Sequence, residues 1–186
     1  MMKDPARERG DLQKKLAEAV GLLTQSLDVR LIPPKGVQLG YSLRGARDKN
    51  GVAAVNGGIV AEHDRAHAAG TCGFGVDEDI ARIILTAMRF DPDIRCAATL
   101  LGSTTLLNVI ENLLLECRSF ELANSPPGIN TMDWGVASCC RDGVPDVCYP
   151  QLESGNESTF LFFGENPMDV TNNIIMISNR VINIEL

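Results

Sequence analysis

The sequence predicts an α/β domain with a mixed sheet. Segments with apolar residues at helical spacing alternate irregularly with short apolar runs of the kind found in buried strands. Some neighbouring runs are separated only by turn residues, which indicates hairpins and therefore antiparallel pairs. With 186 residues, of which 45% are hydrophobic, the chain is long enough to bury a core of its own.

The first predicted element is an amphipathic helix from about residue 5 to residue 27. Its apolar face consists of residues at helical spacing, namely Leu12, Leu16, Ala19, Val20 and Leu23. The Pro33–Gly36 segment then breaks the chain. We therefore assign residues 1–30 to an N-terminal helix and residues 31–186 to the main domain, within one globular unit overall.

Short strands are predicted in the region that follows. They cover residues 37–43, 51–60, 59–62 and 66–71, the last two forming a hairpin. His63 lies at the tip of this hairpin and His67 follows four residues later. That spacing would place both imidazoles beside one metal only on a helix, so we interpret this pair as solvated hairpin residues.

The central stretch, Gly70–Leu100, begins with a glycine-rich turn and continues into a helix. Three carboxylates, Asp77, Glu78 and Asp79, come first, followed by apolar residues at helical spacing up to Met88. Pro92 ends the helix, and residues 94–101 are predicted to form a buried strand. Two interpretations stay open here: a simple turn with capping acids, or a binding pocket at the junction.

The second half of the chain is predicted to add two core helices and three strands. Ser103 caps a helix whose apolar face is Leu106, Leu107, Ile110, Leu113, Leu114 and Cys117. Strands are expected over residues 118–123, 144–149 and 159–163, and a short helix over 134–141. The last helix has Asn166 as its N-cap and Pro167 at its first position. The irregular stretch 124–132 is either a lid over a pocket or a surface connection.

Composition excludes several classes of function. The net charge of −7, without a basic run, argues against a nucleic-acid surface, and no apolar stretch is long enough to cross a bilayer. The charged N-terminus does not resemble a secretory signal, so we expect a cytoplasmic protein with reduced cysteines. With only two histidines, a serine–histidine or cysteine–histidine nucleophile pair is disfavoured. A metal or redox site at Cys139, Cys140 and Cys148 is left open.

Several segments share an order and spacing that resemble a known family. They include LGYSLRGAR at 39–47, VAAVNGGIV at 52–60, FGVDEDIARIILTAM at 74–88, DPDIRCA at 91–97, GVPDVCY at 143–149 and FFGENPMDV at 162–170. Together they resemble the ThiN-type thiamine-phosphate synthase domain. The resemblance implies a three-layer α/β/α fold with a mixed, largely antiparallel sheet, similar to class II aldolases. It also implies the joining of hydroxymethylpyrimidine diphosphate to thiazole phosphate, with release of diphosphate.

The chain departs from that family at positions where the resemblance implies basic side chains. Asp79 stands in place of a histidine, Leu101 and Leu122 in place of arginines, and Asn156 in place of a lysine. A departing diphosphate needs fixed positive donors or a metal ion, so these changes predict weak or lost synthase activity. An acidic pocket would still suit a cationic thiazolium or the N–H groups of an aminopyrimidine.

The leading hypothesis is a domain that binds thiamine phosphate or a related ligand, as a sensor, a carrier or a much weakened synthase. No catalytic residue and no metal ligand is assigned; the candidate ligand-binding residues are Arg47, Gly73, Gly75, Asp77, Asp79, Arg82, Arg95, Ser103, Asp146, Gly155 and Glu157. We expect a thiamine-related small molecule as partner, no direct contact with nucleic acid or membrane, and allow for a homodimer.

Two rival hypotheses use the same scaffold. In the first, the chain is an active synthase in which Mg²⁺, held by Asp77, Glu78 or Asp79, replaces the missing basic groups; otherwise no cofactor is expected. In the second, the substrate is different, and Cys72 or the Cys139–Cys140 pair lies near a pocket that holds iron or zinc.

The resemblance also implies that related domains follow a pyrimidine kinase or a helix-turn-helix segment. We expect neither partner domain in this chain.

Overall fold

The computed structural model describes residues 4–186 as five α-helices and nine strands. The helices are α1 (Pro5–Ser26), α2 (Glu78–Met88), α3 (Thr104–Asn112), α4 (Thr131–Cys139) and α5 (Pro167–Val181). The strands are β1 (Leu39–Ser42), β2 (Val52–Val55), β3 (Ile59–Glu62), β4 (Arg65–Ala68), β5 (Cys72–Phe74), β6 (Cys96–Ser103), β7 (Cys117–Phe120), β8 (Val147–Pro150) and β9 (Glu157–Gly164). The predicted α/β class is confirmed.

Seven of these strands form one mixed sheet in the order β5-β2-β1-β6-β9-β8-β7. Every neighbouring pair is antiparallel except β7 and β8, which are parallel. The longest pairing joins β6 to β9 at the centre of the sheet, from Cys96 opposite Gly164 to Ser103 opposite Glu157. The remaining strands, β3 and β4, form a separate two-stranded hairpin.

Alternate residues of the central strands contribute to two different apolar clusters, because successive side chains of a strand point to opposite faces. On β6, Ala98 and Leu100 pack into a cluster that also contains residues of α1, α3 and α5. Ala97 belongs to the second cluster, which contains residues of α2 and α4. Thr99 and Leu101 have the same parity as Ala97. The strand alternation therefore directs their side chains to the face on which α2 and α4 lie.

Both terminal helices form as predicted. The five apolar residues predicted for α1 are those that the structure buries, and α1 packs against α5. Asp4 caps α1, and Asn166 caps α5 by accepting a hydrogen bond from Asp169 N. Pro167 occupies the first turn of α5, where the absence of an N–H costs nothing. None of the helices in residues 4–186 combines the length and apolar character that a membrane span requires.

The hairpin at residues 59–68 is confirmed, but the continuous strand predicted over residues 51–60 is wrong. Gly57 and Gly58 adopt positive φ angles of 79° and 73°, which turn the chain between β2 and β3. As a result, β2 pairs with β1 and β5 in the large sheet, whereas β3 pairs with β4. His63, His67 and Arg65 are exposed on that hairpin, as the sequence predicted.

The predicted extension of α3 to residue 117 is wrong. Ser103 caps the helix as expected, with its Oγ accepting a hydrogen bond from Leu106 N, but the helix ends at Asn112. Leu114 has a positive φ of 60° and is 92% exposed. Cys117 is already the first residue of β7. The positive φ of Leu114 turns the chain out of the helix, and Cys117 then pairs with Val147 in the sheet. The apolar residues at 113, 114 and 117 therefore belong to a turn and a strand rather than to a helix face.

The irregular stretch predicted over residues 124–132 is shorter than expected. The α4 helix begins at Thr131 rather than Trp134, because Asn130 accepts hydrogen bonds from Met132 N and Asp133 N and thereby caps it. The ends of the other predicted strands lie within three residues of the observed ends, a difference expected where propensity does not mark the boundary. The short strand β5 was not predicted, because its segment was interpreted as a glycine-rich turn.

Candidate functional site

A cleft of about 740 Å³ opens on the face of the sheet that carries α2 and α4. It lies where α2 begins, beside the central strands β6 and β9 and the start of α4. The polar and charged lining residues are Lys35, Gln38, Asp77, Asp79, Arg82, Thr99, Asn130, Asp133, Ser158 and Thr159. The apolar ones include Ile80, Ile83, Leu101, Met132 and Leu161. This size and mixed lining are typical of small-molecule sites.

The buried amide of Gln38 ties the sheet to the first turn of α2 at this cleft. Its Nε2 donates to Val55 O and to Asp77 Oδ2, each at 2.9 Å, and its Oε1 accepts from Val55 N at 3.0 Å. Asp77 in turn caps α2, with Oδ1 accepting from Ile80 N at 2.9 Å. Both carboxylate oxygens of Asp77 are therefore engaged in hydrogen bonds that set the position of the helix.

The three carboxylates at the start of α2 have different surroundings. Asp77 makes the capping and Gln38 contacts, and Glu78 lies 3.6 Å from Lys49 Nζ, outside the cleft lining. Asp79 lines the cleft. Together they complement the partial positive charge of the helix N-terminus. Asp79 is consequently the carboxylate best placed to meet a cationic ligand group.

The basic residues of the cleft lining are Lys35 and Arg82. Arg82 donates from Nε at 3.1 Å, and also from Nη2, to Oδ2 of Asp133. This hydrogen bond is the main reason that the pKa of Arg82 rises above its ordinary value. The cleft thus has two cations and three carboxylates, one of the cations being already paired. The formal charge of the lining is therefore negative.

Of the residues predicted to bind a ligand, the structure brings Asp77, Asp79 and Arg82 together in the cleft. Leu101, which the resemblance implied to replace an arginine, lines the same cleft. The altered positions Asp79 and Leu101 are therefore parts of one cavity, although they are separated in sequence by most of α2 and β6.

The predicted glycines and Arg47 lie outside the cleft lining. Gly73 pairs with Ala54 at the edge of the sheet, and Gly75, with a positive φ of 72°, donates its N–H to Val52 O. Gly155 lies in the turn before β9 with a φ of 86°. Arg47 is an exposed residue of the connection between β1 and β2.

The remaining four predicted residues also lie outside the cleft lining, namely Ser103, Glu157, Asp146 and Arg95. Ser103 caps α3 and faces Glu157 across the β6–β9 ladder. Asp146 accepts a hydrogen bond from Glu116 N at 2.8 Å and thereby links the segments that precede β7 and β8. Arg95 lines a second cavity, of about 470 Å³, and donates to Ser42 O and to the Tyr41 hydroxyl.

The cysteines are free thiols and none of them lines the cleft. Cys139, Cys140 and Cys148 are buried where α4 meets β8. A hydrogen bond with Cys148 lowers the pKa of the Cys139 thiol, whereas burial raises the pKa of Cys140 to about 12. Within residues 4–186, no group of three or more histidine, cysteine, aspartate or glutamate side chains is arranged to hold a metal ion.

Comparison with known proteins gives the family. A family model described as thiamine-phosphate synthase ThiN matches residues 15–176. The chain belongs to the ThiN family. The matched region contains the whole cleft lining as well as most of α1, so this ThiN-family match includes both the sheet and the helix that packs beside it.

Two relatives support the family and its fold. The chain is 30% identical over 167 residues to the bifunctional thiamine biosynthesis protein ThiDN of Methanocaldococcus jannaschii, a match that covers 88% of this chain and 40% of the relative. The chain thus spans about two fifths of that curated protein. A crystal structure of the C-terminal domain of phosphomethylpyrimidine kinase superposes with a TM-score of 0.84 at 30% identity, covering 91% of this chain and all of that one.

The fold is also similar to that of class II aldolases. An aldolase II superfamily protein from Pseudomonas syringae superposes with a TM-score of 0.51 at 10% identity, covering 96% of this ThiN-family chain and 77% of the other. At this identity the likeness concerns the fold alone. The predicted resemblance to ThiN domains and to an aldolase-like fold is confirmed.

Sequence reasoning missed several residues of the ThiN-family cleft. Lys35 lies within the proline-rich break, Gln38 follows it, and Asp133 lies in the first turn of α4. The stretch 124–132, predicted as either a lid or a surface connection, does border the cleft, at Asn130, which caps α4, and at Met132 in the first turn of that helix. The absence of helical or strand spacing in this stretch is the sequence signal that indicated it. No local pattern marked Gln38, because its role depends on Val55 and Asp77, which reach it only in the folded chain.

Proposed function

We propose that this ThiN-family chain binds thiamine phosphate or a closely related ligand in the cleft, with weakened or lost synthase activity. The observation that supports the proposal is that Asp79 and Leu101 line one cavity. Those are two positions at which the resemblance implies basic side chains. We further propose that the two apolar clusters correspond to a three-layer α/β/α arrangement with the sheet in the middle.

The chemistry of the cleft suits the organic part of such a ligand. A thiazolium ring has a permanent positive charge, which the carboxylate of Asp79 would attract. Aminopyrimidine N–H groups would donate to carboxylate or carbonyl oxygens. The ring faces would pack on Leu101, Met132 and Leu161, which supply apolar surface beside these polar groups.

The same cleft is poorly equipped for the synthase reaction. As the bond to a diphosphate leaving group breaks, negative charge develops on the leaving oxygen and must be stabilised by donors already in position. Removing one such donor commonly costs about 3 kcal/mol of barrier. Arg82 is held by Asp133, which leaves Lys35 as the other basic side chain of the lining. We therefore expect binding without efficient turnover.

Isothermal titration with thiamine and with thiamine phosphate tests the proposal. We expect heat of binding with both ligands for the unmodified chain. Asp79→Asn should weaken thiamine binding about tenfold, because a carboxylate beside a cation at the rim of a cleft contributes on the order of 1 kcal/mol. Glu78→Gln is the matched control, since it removes a carboxylate from the same helical turn outside the cleft lining. Absence of heat with both ligands would end the proposal.

The second candidate function, favoured by the family match, is an active Mg²⁺-dependent synthase. The three carboxylates at the start of α2 are poorly suited to hold Mg²⁺. Asp77 accepts hydrogen bonds from Gln38 and from the N-terminus of α2, and Glu78 lies beside Lys49. This candidate expects release of diphosphate from the two phosphorylated precursors in the presence of Mg²⁺, and loss of that activity in Asp79→Ala. Absence of turnover with Mg²⁺ would remove it.

A further inference from the structure

The ion pair between Arg82 and Asp133 joins two helices across the cleft. Arg82 belongs to α2 and Asp133 to the first turn of α4, and both side chains line the cavity. Two nitrogens of the Arg82 guanidinium donate to the same oxygen of Asp133, with Nε at 3.1 Å. The fork of donors that would otherwise match a phosphate is therefore directed at a carboxylate of the protein itself.

This ion pair is accessible enough to be exchanged for a ligand. The Arg82 and Asp133 side chains remain 40% and 28% exposed. Ion pairs in such positions are weak, because water solvates both partners and salt screens their attraction. A phosphate group carries more charge than a carboxylate and more acceptor oxygens, so it can compete for the guanidinium. Asp133 must then be left without its partner.

Lys35 supplies a second positive charge to the same cavity. It belongs to the proline-rich loop before β1 and lines the cleft with Arg82. In the part of the chain that the structure describes, Lys35 takes part in no ion pair. The hydroxyl groups of Ser158 and Thr159 also line this cavity. An anionic group therefore has two basic side chains to bind, one of which is occupied by Asp133.

We propose that Asp133 is a specificity-determining residue, which lowers the affinity of the cleft for phosphate-bearing ligands by competing with them for Arg82. The identity of the ligand rests on the proposed function, but the competition for Arg82 does not. Consequently the chain distinguishes thiamine from its phosphorylated forms less strongly than the two cations in its cleft would otherwise allow.

Inorganic diphosphate is the probe that tests this competition directly. We expect Asp133→Asn to bind inorganic diphosphate about tenfold more tightly than the unmodified chain, in low salt, by isothermal titration. Glu116→Gln is the matched control, because it breaks the ion pair with Arg118, and neither residue lines the cleft or the second cavity. It should change the affinity by less than about twofold.

A double substitution separates release of Arg82 from a general change in charge. If the gain passes through Arg82, then Arg82→Gln in the Asp133→Asn background should abolish it. A gain that persists in the double variant would overturn the proposal, and so would an Asp133→Asn chain that binds diphosphate no better. Asp133→Glu keeps the negative charge and should stay within about twofold of the unmodified chain. It also provides a folded variant if Asn weakens the first turn of α4.

The thiamine ligands form a separate arm of the experiment. Asp133→Asn should tighten thiamine diphosphate binding about tenfold and leave thiamine binding within about threefold, so that the ratio of the two affinities changes. An unchanged ratio would overturn the inference. If the unmodified chain binds neither thiamine compound, the proposed function fails, while inorganic diphosphate still decides whether Asp133 restrains Arg82.

Discussion

Replacing Gln38 with methionine should destabilise the fold and the cleft together. The side chains are similar in length, so the substitution removes the amide while keeping most of the volume. Gln38 is 7% exposed; its Nε2 donates to Val55 O and Asp77 Oδ2, and its Oε1 accepts from Val55 N and Leu39 N. Methionine would leave the buried N–H groups of Val55 and Leu39 without this acceptor and one Asp77 oxygen without this donor.

The expected loss is about 3 kcal/mol in the free energy of unfolding. Each buried polar group that loses its partner costs roughly 1–3 kcal/mol. Val55 O also accepts from Gly58 N, so losing the hydrogen bond from Gln38 adds little to the cost at this oxygen. The freed Asp77 oxygen can accept a hydrogen bond from water in the cleft. Domains of this kind are stable by only about 5–15 kcal/mol, so a change of this size is easily measured.

Urea denaturation followed by circular dichroism measures this change in the free energy of unfolding. In a thermal melt, the midpoint temperature should fall by roughly 6–12 °C for a chain of this length. Gln13→Met is the matched control, because Gln13 makes one hydrogen bond, from Nε2 to Cys72 O at 3.1 Å, and should cost less than about 1 kcal/mol. A loss below about 1 kcal/mol for Gln38→Met would refute the view that this amide joins β1, β2 and α2.

Three further predictions concern packing, pH and thiol reactivity. Gly135→Ala should lose about 1–3 kcal/mol of stability in urea, since its Cβ would lie 2.5 Å from the Phe120 ring. Asp28→Asn should lose less than about 1 kcal/mol at pH 7. Because Arg30 lowers the pKa of Asp28 from 3.8, the loss disappears as pH falls through the folded pKa. Burial raises the pKa of Cys117 to about 11, so its alkylation by iodoacetamide should be slow at pH 8 and faster toward pH 11.

Each of these predictions has its own control. Gly10→Ala has nothing within 4 Å of the new Cβ and should be neutral or stabilising, so equal losses at both glycines would contradict the packing argument. Melting curves of the aspartate variant at several pH values should converge with those of the unmodified chain in acid. Peptide mapping after alkylation identifies the reacted thiol, and rapid labelling of Cys117 at pH 8 would contradict its protonation.

Much of the fold was predictable because its elements have local signals. The α1 and α5 helices carry apolar residues at helical spacing, and α5 also has an asparagine cap followed by proline. The β3–β4 hairpin was likewise marked by its turn residues. The errors fell where local signals were ambiguous: a run of apolar residues continued past the end of α3, and a glycine pair divided residues that look like one strand.

The candidate site was predictable only in part. The acidic first turn of α2 was singled out from its sequence, and Asp77, Asp79 and Arg82 do line the cleft. Arg47, Ser103 and the predicted glycines do not, because their positions depend on how the sheet is assembled rather than on their neighbours in sequence. No local pattern marks Lys35 or Asp133, for the same reason.

By itself, the sequence determined the family, the class of fold and the residues that cap α3 and α5, since helical spacing and capping are short-range properties. Tertiary structure alone decided which groups share the cleft. Asp79 and Leu101 line one cleft because strand alternation points Leu101 to the face where α2 begins. Arg82 and Asp133, 51 residues apart, form an ion pair because α2 and α4 pack side by side. Contacts of that range depend on the packing of whole elements.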